Sequence, residues 1–175
     1  MTFNFRTMLI KEKLGNLQTL SLNKRKIDLL PIEWYEATKR ILHKQTKSGQ
    51  TVTIKFLQGN PDLKEGEILW MDETYIIAVE IIPCACIVMT PGSMRNASSL
   101  CYEIGNKHLP LFYEGDELIV PYEAPLFNLL KASGYPVRVE ERKLQNALKT
   151  SVLPHSQTGT SQRLFNKILQ LTTPS

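Results

Sequence analysis

The sequence predicts an α+β protein. A small antiparallel β unit over residues 1–83 is followed by a ferredoxin-like βαββαβ unit over 84–150 and a C-terminal tail over 151–175. Three observations carry this reading. Apolar and polar residues alternate at a period of two in the first half. Two segments of helical period are interleaved with strand-like segments in the second. Between them, near Pro83, two apolar runs abut, one from Tyr75 to Ile82 and one from Cys86 to Met89.

In the first half, Val52, Ile54 and Phe56 alternate with Thr51, Thr53 and Lys55, the pattern of a half-buried strand. Lys47-Ser48-Gly49-Gln50 supplies a turn before it, so a partner strand is expected over 39–46, although 34–44 also reads as a short helix. Asn60-Pro61-Asp62 and Glu65-Gly66-Glu67 mark further turns. Short strands at this spacing suggest an antiparallel sandwich or barrel.

In the second half, a strand near 85–90 leads to Pro91-Gly92-Ser93, where Ser93 can cap a helix. Met94, Ala97, Leu100/Cys101 and Ile104 recur at helical spacing, and Gly105-Asn106 is expected to stop the helix. Strands over 109–113 and 117–122 are joined by Glu114-Gly115-Asp116. Ala124-Pro125 opens a helix over 126–132, Ser133-Gly134 closes it, and 136–140 gives a last strand. That order is βαββαβ. In the tail, Leu164, Ile168 and Leu171, with Phe165 and Leu169, are spaced as a short amphipathic helix, preceded by a loop that contains His155.

Composition narrows the function classes. Lys+Arg at 21 against Asp+Glu at 17 leaves +4, a small surplus that does not single out nucleic acid as a partner. Hydrophobic content of 42% and charged content of 22% are those of a globular chain. Three cysteines, no apolar core of an export signal and no long uncharged apolar run lead to the expectation of a soluble cytoplasmic protein. There is no Gly-rich phosphate loop, GxSxG elbow, HExxH helix or CxxC pair, so no enzyme class is indicated.

Each histidine has a plain reading beside a chemical one. His43 lies among Lys39, Arg40, Lys44 and Lys47, surroundings that disfavour a bound cation. His108 sits between a helix end and a strand, where it complements the helix dipole or serves as a ligand. His155 is an exposed loop residue or a ligand able to swing onto a metal. Cys84 and Cys86, two apart on a strand, point to one face and suit soft metals, but their apolar neighbours favour buried inert thiols. Cys101 falls on the apolar face of its helix.

The run Tyr102-Glu103-Ile104-Gly105-Asn106-Lys107-His108-Leu109-Pro110 resembles the motif of the UreE family of urease accessory metallochaperones. Thr46-x-x-Gly49 with Val52-x-Ile54, Leu63-x-x-Gly66-Glu67-Ile68-Leu69, Ile77-Ala78-Val79 and Leu129-Leu130-x-x-x-Gly134 are similar to its other segments, so the likeness spans about residues 8–155. The resemblance implies a homodimer formed by the C-terminal units, with His108 of each subunit sharing one nickel ion. It implies delivery of that nickel to the urease apoenzyme together with a GTPase accessory protein. His155 is the tail histidine available as an extra ligand, zinc fits the same donors, and the N-terminal unit resembles a peptide-binding module that touches the urease complex. Lys107 replaces the motif's usual arginine, which keeps the charge but loses the bidentate fork. No His-rich run follows, so storage of many ions is not expected. The competing readings are a ferredoxin-like interaction or nucleic-acid-binding scaffold without metal, and a thiol enzyme using Cys84 with His108.

Overall fold

The computed structural model describes residues 7–20, 25–58 and 61–148. Its first part has seven strands: β1 (Met8–Ile10), β2 (Gly15–Asn16), β3 (Lys26–Ile32), β4 (Ile41–Gln45), β5 (Thr51–Lys55), β6 (Glu67–Met71) and β7 (Tyr75–Ile81). They form two sheets, ordered β1-β5-β4 and β2-β6-β7-β3. The β4–β5 hairpin is the expected one, turned through Gly49 at φ 91, and the alternative helix shrinks to a 3-10 turn at Trp34–Glu36.

The sheets are not wholly antiparallel. β1 runs parallel to β5, and β3 runs parallel to β7 over seven residue pairs. Parallel partners need long crossovers, and here each crossover contains other strands of the sandwich. Sequence reading missed β3 because Pro31 interrupts it. The strand lies at a sheet edge, where a missing backbone donor is tolerated. Ile32, Val52, Ile54, Ile77, Val79 and Ile81 fill the space between the sheets, while Ile76 and Ala78 pack on the opposite face under Leu17 and Leu20. β7 is therefore buried on both sides, which explains its unbroken apolar run.

The second part follows the expected order: β8 (Cys84–Met89), α1 (Met94–Asn106), β9 (Phe112–Glu114), β10 (Glu117–Pro121), α2 (Ala124–Ala132) and β11 (Val137–Arg142). The sheet order is β11-β8-β10-β9 with every pairing antiparallel, the ferredoxin-like arrangement. Ile87, Met89 and Val120 meet Leu100, Ile104, Leu126 and Leu130 of the two helices on one face. The other face holds Cys86, Val88, Phe112 and Ile119, covered by Leu144 and by Trp34 from the first part. Trp34 stands edge-on to Phe112 with ring centroids 5.5 Å apart. Beside this apolar strip, Arg138 and Arg142 bridge Glu117 and Glu140, and Arg142 reaches Glu114 at 2.9 Å.

After β11 the chain returns along the β9 edge. Tyr113 N donates to Asn146 O at 3.1 Å and Leu148 N to Leu111 O at 2.7 Å. The two parts are also tied at Glu65. Its carboxylate accepts from Ile81 N and Lys143 Nζ, each at 2.8 Å, while its N–H donates to Gln145 Oε1 at 3.2 Å. No described helix is long and apolar enough to cross a membrane.

Candidate metal centre

α1 starts as expected, with Ser93 Oγ accepting from Asn96 N at 3.2 Å. It ends later than expected, because Gly105 and Asn106 stay inside the helix and neither has a positive φ. The stop is His108, which adopts the left-handed conformation at φ 55. His108 N donates to Gly105 O at 3.0 Å and Leu109 N to Ile104 O at 3.4 Å, the bond pair of a Schellman turn. Leu109 completes the motif by packing against the cluster that contains Ile104.

Backbone geometry on both sides thus holds His108 in place, while its ring is exposed. No hydrogen bond or ion pair engages that ring among the described residues. Lys107 and Leu109, its two neighbours, border a shallow cleft against Glu123, Pro125, Leu126 and Leu129 at the start of α2. A left-handed non-glycine residue costs about 1–2 kcal/mol, and such strain collects where a side chain is needed for function.

Among the described residues, the structure brings none of the other sequence-predicted groups to His108. His43 lies on β4 in the first part, its Nδ1 2.9 Å from Thr53 Oγ1 on the neighbouring strand. His155 and the amphipathic segment at 164–171 lie outside the described residues. Among the described residues no three His, Cys, Asp or Glu side chains converge as a metal site. However, the described chain at 146–148 runs antiparallel to 111–113, so it heads along its neighbour towards His108.

Cys84 and Cys86 do share a face, with sulfurs 3.7 Å apart. Burial pushes both thiols up, Cys86 to about 12, with its neighbour Cys84 adding to the rise. Such thiols are poor nucleophiles at neutral pH, which counts against the thiol-enzyme reading. Cys101 is partly buried against the helix–sheet core, as its place on α1 implied.

The described residues thus form a β sandwich joined to a ferredoxin-like unit, with one exposed imidazole clamped at a helix end. Comparison with known proteins gives the family. The profile described as "UreE urease accessory protein, N-terminal domain" matches residues 10–82, and its C-terminal counterpart matches 84–161. A urease accessory protein UreE from Flavobacterium johnsoniae is 43% identical over 94% of this chain and 99% of its own length. Relatives of the same description from Acetivibrio thermocellus (39% identical, 81% of this chain and 92% of theirs) and Actinobacillus pleuropneumoniae (38%, 81% and 78%) agree. The chain belongs to the UreE urease accessory protein family.

Proposed function

We propose that this chain is a cytoplasmic metallochaperone for urease. As a homodimer joined by residues 84–150, it carries one nickel ion between the two copies of His108 and delivers it to the urease apoenzyme with a GTPase accessory protein. Residues 1–83 would contact the urease complex. The observation that carries the reading is the exposed, backbone-clamped imidazole of His108 held in a conformation that glycine would adopt more cheaply.

One imidazole is a weak site, and an isologous dimer doubles it by symmetry. Two imidazoles leave coordination positions open, so the ion stays exchangeable, as a carrier requires. The course of 146–148 towards His108 supports His155 as an added ligand. His155 follows Leu148 by seven residues, a reach of up to about 24 Å when extended. Zinc suits the same donors, because the stability order of divalent ions separates it from nickel only weakly. Imidazole must lose its proton to coordinate, so loading weakens in acid.

The nucleic-acid reading has less support. In ferredoxin-like RNA binders the helix-free sheet face stacks bases on aromatic residues. Here that face is covered by Trp34 and Leu144 and bordered by ion pairs. Calorimetric nickel titration combined with sedimentation tests the proposal. A dimer binding about half an ion per chain is expected from a shared axial site. A monomer, or a protein that ignores nickel, would overturn it.

A further inference from the structure

We propose that residues 143–148 act as a strap through which the first part of the chain sets how tightly nickel is held, with Glu65 as the positioning residue. This rests on the metal reading above, in which His155 is an added ligand. The βαββαβ unit is complete at Arg142, the last residue of β11. The six residues that follow are gripped by both parts of the chain.

From the first part, Glu65 accepts from Lys143 Nζ at 2.8 Å, and its N–H donates to Gln145 Oε1 at 3.2 Å. Glu65 is itself fixed within the first part. Its carboxylate also accepts from Ile81 N at 2.8 Å, and its carbonyl from Asn16 Nδ2 at 2.9 Å. Between Lys143 and Gln145, Leu144 is buried in the cluster of Phe112 and Ile119, against which Trp34 packs. An exposed ion pair alone holds little, but here ion pair, buried leucine and amide are consecutive on the strap. From the second part, the edge of β9 holds the far end, where Asn146 O accepts from Tyr113 N and Leu148 N donates to Leu111 O.

The direction of the strap gives it a use. Leu148 bonds to Leu111, three residues from His108, and the chain is heading that way. His155 is therefore tethered through seven residues to an anchor at Leu148. A strap released back to Arg142 would lengthen that tether to thirteen. The effective concentration of a tethered ligand falls roughly as the −3/2 power of tether length, so the release lowers nickel affinity about 2–3-fold. Linkage makes the effect reciprocal, and nickel held by His155 tightens the strap against Glu65. A contact that draws Glu65 away from Lys143 would thus loosen the ion, which suits a carrier that must release its cargo.

The test combines nickel affinity of the full chain, measured by competition with a chromophoric chelator, with hydrogen exchange of the Leu148 amide. Glu65→Ala frees the strap from the first part. Lys143→Ala/Gln145→Ala does so from the strap's own side should Glu65→Ala fold poorly. Either is expected to lower affinity about 2–3-fold and to speed exchange at Leu148 without metal. Neither should weaken binding further in a His155→Ala chain, a dependence that general loss of structure would not produce. Lys47→Ala, which breaks an ion pair with Glu80 inside the first part, should leave affinity unchanged. Nickel should slow exchange at Leu148 in the unaltered chain but not in His155→Ala. Unchanged affinity in the strap variants, unchanged exchange at Leu148, or an equal loss in the His155→Ala chain would overturn the strap while the nickel reading stands. A chain that binds no nickel would overturn both.

Discussion

His108 and Gly134 occupy the same position at the ends of α1 and α2. Each is the left-handed residue of a Schellman turn, at φ 55 and φ 79. At α2, Gly134 N donates to Lys131 O and Tyr135 N to Leu130 O, both at 3.1 Å, matching the bonds made by His108 and Leu109 at α1. One helix ends on the residue that suits the conformation, and the other on an imidazole that strains it.

The two substitutions at His108 should therefore part company in stability. His108→Gly is expected to stabilise the fold by about 1 kcal/mol, the left-handed cost less the flexibility of glycine. His108→Ala keeps the strain and should change stability by less than about 0.5 kcal/mol. Both should lose tight nickel binding. Urea denaturation beside calorimetry reads the two effects, and a destabilised His108→Gly protein would mean that the ring has a structural role.

His155→Ala should lower nickel affinity without abolishing it, since water can take the vacated position. If the loss matched that of His108→Ala in a nickel titration, the tail would be an obligatory part of the site.

Asp28 links the two N-terminal sheets. On β3, it accepts from Ser48 N at 3.1 Å and from Ser48 Oγ and Tyr75 Oη, each at 2.5 Å. Burial pushes its carboxyl up, but the bonds from Ser48, Thr46 and Tyr75 outweigh this and hold it below the ordinary value of 3.8. A lowered folded pKa means that the stabilisation is complete above 3.8 and is lost as pH falls through the folded value. Asp28→Asn should cost about 1–3 kcal/mol at neutral pH. Denaturation midpoints of the two proteins should converge below pH 3.8, and a gap that stayed constant into acid would refute the assignment.

Trp34 covers the helix-free face of the C-terminal sheet, so Trp34→Ala should uncover Phe112 and Cys86. Because Trp34 is only partly buried, a loss of about 2–4 kcal/mol is expected, towards the lower end for aromatic truncations. A cost below about 1 kcal/mol in thermal or urea unfolding would show that the joint contributes little.

Local periodicity made the C-terminal unit legible. The strand and helix signals of β8, α1, β10 and α2 each arise from side chains a few residues apart, and the βαββαβ order follows from reading them in turn. The β4–β5 hairpin was legible for the same reason, with its turn residues lying between its strands. The motif around His108 was equally readable, because its residues are contiguous.

The tertiary structure decided what depends on distant partners. β1 and β3 gain their order from parallel neighbours more than forty residues away in sequence, and no local pattern encodes such a pairing. Asp28 reads as a surface residue until Ser48 and Tyr75 close over it. The stop of α1 also moved from Gly105 to His108. The helical bonds run on through Asn106, and Leu109 can pack against the cluster around Ile104 only if the left-handed residue is His108. Sequence alone therefore marked the histidine, but the packing of Leu109 determined that its backbone would be strained and its ring exposed.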